Sequence, residues 1–439
     1  MIRREIMKFF RSSLPLALAL LFVFVSCQHE DHAVVPQPEE QKEWLPRPAG
    51  FSGNYALEQM VVLSRHNIRS PLVSKTSILF RMTDSDYQWF MWEGEPSQLT
   101  PKGGRLESKM GSFFKEWLAE KDILDEYGRD PFAFRFYANA KQRCQKTARF
   151  FADALLPGKD PKVEMNVQFD AMDPVFNPQI TKLSPEFEAQ AQKEVQEILN
   201  DPEIRLTERF ALIENVVNIT GSPAYPDTTC FSQFPVSVSF KLNAEPSMAG
   251  GLKMACTFAD ALVLQYYEEP DEKKAAFGKT LTFDDWTNIS LVKEWYGDVL
   301  FTAPSVCVNV AHPLLLTILS EIQNEKRVFS FLCGHDSNIG SVLASLEAEP
   351  YELDGAIEQR TPIGAKVVFE KFTDKDGVEY ADIWLVYASV QQLRGETALS
   401  YNNPPMAKRI SLKGLKANPD GLYLLSDVEG RFVKAIDAY

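Results

Sequence analysis

Basic residues are the scarcer charge in this chain. Lys and Arg number 46 against 60 Asp and Glu, a formal net charge of −14, and the pI is near 5.0. That balance argues against a nucleic-acid partner, because phosphate backbones are held by basic surfaces. It leaves room for a small anionic ligand, since a few convergent arginines dominate the local field of a pocket. Histidine is sparse, with five in 439 residues. Cysteine is limited to Cys27, Cys144, Cys230, Cys256, Cys307 and Cys333, at spacings that fit no zinc pattern. These read as small buried residues or isolated disulfide partners, and none as a nucleophile. Apolar runs are short as well. After Leu14–Val25 none approaches the roughly 20 residues of a spanning helix, so no later segment is expected to cross a membrane.

Residues 1–27 read as a targeting segment. Arg3, Arg4 and Lys8 precede an apolar core too short to span a bilayer comfortably. Phe24-Val25-Ser26-Cys27 resembles a bacterial lipobox, with Phe24 where Leu is commoner. In that reading Cys27 carries lipid, leaving five cysteines and at least one unpaired thiol. Ordinary secretion and an uncleaved anchor are the alternatives, and all three export the chain, to the periplasmic face of a bacterial membrane or the cell surface. Residues 28–50 are acidic and proline-rich, the composition of a tether. His29 and His32 fall in it as solvated side chains.

The remainder divides by pattern into an α/β portion, 51–160 and 284–439, interrupted by a helix-rich cap, 161–283. Val61–Leu63 predicts a buried strand, and Gly103-Gly104 a turn before an amphipathic helix ending at Glu120. Phe132–Tyr137 reads as the next strand and Ala138–Leu156 as a helix with Arg143 in its first turns. Helices are expected at 186–200, 204–219, 254–267 and 309–324, with His312 serving packing or a helix start. Arg327–Leu332 is a strand leading into a helix that ends near Leu346, and 367–372 with 383–387 form a hairpin. The segment beyond carries only loop signals.

Two strand ends hold the chemistry. Val61–Leu63 leads into Ser64-Arg65-His66-Asn67-Ile68-Arg69-Ser70-Pro71, and Arg327–Leu332 into Gly334-His335-Asp336-Ser337. Carboxyl ends of strands in an open α/β sheet are where ligands bind. Guanidiniums flanking an imidazole suit a phosphate, the arginines as permanently charged forks and the histidine as nucleophile. Taken singly, each has a plainer explanation. The arginines pair with surface carboxylates, Arg143 lies on a helix surface, and Asp336 caps a helix. Together they fit two-step phosphomonoester hydrolysis. His66 attacks phosphorus, while Arg65, Arg69, Arg143 and His335 hold the oxygens. Asp336 protonates the leaving alcohol and then activates water. The scheme needs no metal or cofactor, and an acid that must be protonated predicts an acidic pH optimum.

Arg65-His66-Asn67-Ile68-Arg69-Ser70-Pro71 matches the Arg-His-x-x-Arg-x-Pro signature of the histidine acid phosphatases, clan 2 of the histidine phosphatase superfamily. Gly334-His335-Asp336 resembles their distal His-Asp pair, and Arg143 stands where they place a third phosphate-binding arginine. The resemblance runs from about Ala56 to Leu412. It implies a phosphoglycerate-mutase-like mixed sheet flanked by helices, with a smaller, mainly helical cap. Leu99-Thr100-Pro101-Lys102-Gly103-Gly104, Leu264-Gln265-Tyr266-Tyr267-Glu268 and Arg360-Thr361-Pro362-Ile363-Gly364 look most like the glucose-1-phosphatase subgroup, with phytases next. Asn67 stands where many phytases have glycine, and Glu245 resembles the subgroup's sugar-contacting acid, or is an ordinary surface glutamate. A cysteine pair of that subgroup is not matched around Gly221-Ser222-Pro223-Ala224-Tyr225, where only Cys230 is found. The resemblance implies an acid phosphatase acting on glucose-1-phosphate and other sugar phosphates, with inositol hexakisphosphate as the alternative, and the lipobox, a departure from a freely soluble periplasmic enzyme, adds a lipid anchor. A phosphate-binding lipoprotein without turnover is the reading of a different class. Oligomeric state has no signature in the sequence.

Overall fold

The computed structural model describes residues 43–72, 77–83, 89–217 and 231–439. The leader with Cys27, both early histidines, residues 221–225 and Cys230 lie outside them. The first half-sheet is β1 (Tyr55–Arg65), α1 (Pro101–Glu120), β2 (Phe134–Ala138), α2 (Gln142–Leu155) and β3 (Val163–Glu164). A largely helical stretch follows, with α3 (Pro185–Leu199), α4 (Leu206–Val216), β4 (Ser237–Ser239), β5 (Ser247–Ala249), α5 (Gly251–Glu268) and α6 (Phe283–Phe301). The chain then returns to the sheet through α7 (Pro304–Ile322), β6 (Phe329–Gly334) and α8 (Asp336–Ser345). It closes with β7 (Lys366–Asp374), β8 (Glu379–Tyr387), β9 (Met406–Arg409), β10 (Tyr423–Leu424) and α9 (Leu425–Asp437).

The main sheet runs β10-β8-β7-β1-β6-β2-β3, with β9 also paired to β8. It is mixed. β1, β6, β2 and β3 are parallel, while β7 runs antiparallel beside β1 and β8 antiparallel beside β7. β1 is apolar on both sides because both faces are covered. Met60 and Val62 enter a core with Phe113, Trp117 and Phe151 of α1 and α2. Val61 and Leu63 enter another with Leu314, Ile339 and Phe432 of α7, α8 and α9. Each such side chain contributes about 1.5–3 kcal/mol through burial, which fixes the strand that carries the first motif.

Register then determines where the motifs emerge. Arg65 pairs with Gly334 and Ala138 with Cys333, so β1, β6 and β2 end side by side. The loops after them leave from one edge. Above that edge α4, α5 and α6 share a core containing Phe210, Phe231, Phe258 and Trp286. This helical layer begins after β3, which pairs with β2 at Phe136–Val163 and so belongs to the sheet. α6 starts at the boundary expected near 284, and its Trp286, Ile289 and Val292 belong to the helical core.

Several local expectations need correction. Gly103 and Gly104 lie inside α1, not in a turn before it. Thr100 accepts from the Gly103 amide and Pro101 opens the helix. A Cβ at Gly103 would collide with the Ile68 carbonyl, so glycine there permits close approach to the motif loop. The tether ends earlier than residue 50. Leu45 is core, Trp44 packs on Phe113 and Trp117, and Arg47 is buried against Glu370 and Asp382. α7 is, by length and composition, long and apolar enough to cross a membrane, contrary to the reading of its sequence. Its Val310, Leu314, Leu315 and Ile318 pack in the cores, and His312 lies mid-helix with its ring stacked 3.8 Å from that of Tyr439. The carboxyl-terminal segment supplies β9, β10 and α9. Cys144, Cys256, Cys307 and Cys333 are free thiols.

Candidate active site

His66 follows β1 and is buried, with its backbone amide donating to Gly334 O at 3.0 Å across the paired strand ends. Its Nδ1 lies 2.8 Å from the Asn67 carbonyl oxygen. A carbonyl only accepts, so Nδ1 carries the proton and Nε2 is left with its lone pair free. Asn67 is itself fixed. Its side-chain amide donates to Glu107 at 2.8 Å, and its backbone amide to Thr147 at 3.1 Å. Gly364, at φ +68°, leaves room for that side chain, where a Cβ would press on Asn67 Nδ2.

His335 caps α8, and its ring centroid stands 5.5 Å from that of His66. Asn139 receives the Asp173 amide on Oδ1, which turns its Nδ2 toward His335 Nε2 at 2.8 Å. His335 Nε2 is therefore the acceptor and Nδ1 the N–H. Arg143, in the first turn of α2, lies 3.4 Å from that Nδ1 and has a buried Nε without a partner among the described residues. Arg69 is gripped at 3.0 and 3.1 Å by both oxygens of Asp260 from α5. Asp336 is the first residue of α8, not its cap. One oxygen accepts from Ser337 N, while the other faces Lys293 of α6 at 3.2 Å and Arg65 at 3.5 Å.

A cavity of about 620 Å³ is lined by His66, Arg69, Arg143, His335, Asp336 and Glu245, among others. Arg65 stands behind that wall, donating to Glu358 at 2.6 Å. Residues 56–387 match the histidine phosphatase superfamily, branch 2. The chain belongs to this family. It is 35% identical to the glucose-1-phosphatase of Providencia rettgeri over 393 residues, covering 87% of this chain and 92% of that one. The glucose-1-phosphatase of Salmonella typhimurium is also 35% identical, with 84% and 89% covered. A phytase of Hafnia alvei superposes with a TM-score of 0.78 at 26% identity, covering 89% of this chain and 98% of that one. Like the family, the protein is a phosphoric monoester hydrolase, a histidine acid phosphatase.

Electrostatics separate the two strand-end groups of this histidine phosphatase. Burial, reinforced by Arg143, His335, Arg69 and Arg65, holds the His66 imidazole well below the usual histidine range, so it is neutral. Burial pushes Asp336 upward, but Lys293 and Arg65 outweigh it and keep the carboxylate well below the usual range. Glu358 is pulled down to about 2 against the effect of burial by Arg65 and Lys293. Burial raises Glu245, opposed by His335, Arg143 and Lys141. A neutral imidazole with an open Nε2, a charged carboxylate and several cations around one cavity can perform nucleophilic attack with proton exchange.

Sequence reasoning missed Lys293, Asp260, Glu358 and Asn139. Only Lys293 carried a signal. It continues the stripe Trp286, Ile289, Ser290, a charge where helical spacing calls for a buried side chain.

Proposed function

We propose that the enzyme hydrolyses glucose-1-phosphate and related sugar phosphates through a phosphohistidine at His66. The observation that carries this reading is the open Nε2 of neutral His66 beside the Asp336 carboxylate in one cavity. His66 displaces the alcohol from phosphorus. Arg69, Arg143 and the His335 Nδ1–H hold the phosphoryl oxygens, and Arg65 adds charge from behind. Asp336 exchanges the proton in both steps.

Charge balance favours a substrate with one phosphate. Among the described residues the lining cations are Arg69, Arg143, Lys253, Lys293 and Arg360. They face five carboxylates, Glu245, Asp260, Asp298, Asp336 and Glu349, beside Glu294, which burial and Glu358 push up to about 7. A polyanion would meet as much repulsion as attraction outside the phosphoryl site, and Glu245 is available to a sugar hydroxyl. Phytate hydrolysis is the second reading, favoured by a cavity with more room than a hexose phosphate needs and by the likeness to the Hafnia alvei phytase. The leader and lipobox support export with lipid on Cys27.

The test is phosphate release at mildly acidic pH in EDTA, with glucose-1-phosphate and phytate side by side. Preference for glucose-1-phosphate is expected, and it should weaken in Glu245→Gln. Faster phytate turnover would overturn the substrate assignment, and silence on both would place the ester this phosphatase cleaves outside both classes. Lipid labelling lost in Cys27→Ala is the corresponding test of the anchor.

A further inference from the structure

Lys293 belongs to the helical layer, yet its Nζ reaches the edge of the sheet, 3.2 Å from Asp336 Oδ2 and 3.0 Å from Glu358 Oε1. Arg65 makes the matching pair of contacts from below, 2.6 Å to Glu358 and 3.5 Å to Asp336. Two cations and two carboxylates thus close a ring of alternating charge. Glu358 is pinned further by the Ile363 amide at 2.8 Å and the Tyr267 hydroxyl at 3.1 Å. The side chains of Arg65, Glu358 and Lys293 are 2%, 1% and 10% exposed, whereas Asp336 is 38% exposed. The most exposed member of the ring is therefore the one that exchanges protons.

We propose that Lys293 is a positioning residue for the reaction. Anchored by Glu358, it holds the Asp336 carboxylate in place and in its charged form in the free enzyme, and so sets the acid limb of the pH profile. This rests on the proton-exchanging role of Asp336 given above. The other groups around that carboxylate are Arg65 at the end of β1, His66 just after it, His335 at the cap of its own helix, Arg143 on α2 and Cys256 on α5. α7 shares an apolar core with α8, through Leu314 and Ile339. Among the described residues Lys293 is thus the cation of the helical layer that pairs with Asp336, and its removal leaves Arg65 as the remaining ion-pair partner, at longer range and already engaged by Glu358.

Proton accounting follows from a charged Asp336. On binding, the carboxylate takes the proton of the monoanionic ester, giving the dianion and a carboxylic acid. His66 Nε2 forms the P–N bond as the P–O ester bond breaks, and that proton leaves with the alcohol. In the second step Asp336 takes a proton from water as the water oxygen bonds to phosphorus and the P–N bond breaks, and it returns that proton to the product phosphate, which leaves as the monoanion.

The experiment is kcat/KM for glucose-1-phosphate against pH, in the unmodified enzyme and in Lys293→Met, Lys293→Gln and Lys293→Arg. The Met and Gln variants should move the acid limb upward by about one pH unit, with the alkaline limb unmoved, and Arg should restore the original limb. A uniform loss of rate with both limbs in place would overturn the proposal and leave Lys293 a structural residue. Should Met fail to fold, the Gln variant, which still reaches Glu358 by hydrogen bond, decides. His66→Ala and Asp336→Asn run in the same series keep the two claims apart. Undiminished activity in those would sink the underlying mechanism, whereas their large losses beside an unmoved limb would sink only the role of Lys293.

Discussion

The cavity has two walls of different origin. One is the sheet edge, where His66, His335 and Asp336 follow directly on β1 and β6 and Arg143 opens α2. The other is the helical layer, which contributes Asp260 from α5 and Lys293 from α6. The sheet wall presents the proposed nucleophile and the cations around it. The helical wall presents countercharges, a carboxylate on Arg69 and an ammonium on Asp336. The proposed chemistry therefore resides on the sheet wall, and the second wall tempers it.

Three substitutions probe that division, in falling order of expected effect. His66→Ala, on the sheet wall, should abolish the phosphoenzyme and lower kcat on the order of 10⁴-fold or more. Undiminished turnover in a stopped assay would refute the division at its strongest point. Asp336→Asn should cost on the order of 10²- to 10⁴-fold with alkyl phosphates but under about ten-fold with activated aryl phosphates. Equal losses across a leaving-group series would mean that Asp336 only supports the start of α8. Asp260→Asn, on the helical wall, should release Arg69 and tighten inhibition by inorganic phosphate by about two- to ten-fold. Weaker phosphate inhibition would show that Asp260 orients the arginine and does not restrain it.

The same contrast explains what could be read from the sequence. The sheet wall was legible because strand ends impose local order. An apolar run followed at once by Arg65-His66, or by Gly334-His335-Asp336, announces a loop at the edge of a covered sheet. The helical wall was not. Asp260 and Lys293 meet the motifs only through tertiary packing across 191 residues to Arg69 in one case, and from α6 onto α8 in the other. Helical periodicity marks which face is buried but not what it touches. Gly103 misled for a related reason. Glycine reads as a turn, while here it serves the close approach of a helix to the Ile68 carbonyl. The edge of the tether misled because Pro46 and Pro48 mask the anchoring of Trp44, Leu45 and Arg47. The carboxyl-terminal α9 was missed although Leu425, Val428, Phe432 and Ala435 recur at helical spacing and are all buried.

The bond from His66 Nδ1 to the Asn67 carbonyl has a consequence for the covalent intermediate proposed above. With that nitrogen engaged by a neighbouring backbone oxygen, phosphorus can be carried only on Nε2. The intermediate is then the tele isomer of phosphohistidine, one regiochemical species with its remaining N–H held by the chain it belongs to. The phosphoryl group thereby projects away from the backbone, into the space shared by His335 and Asp336, where the water that releases it must arrive.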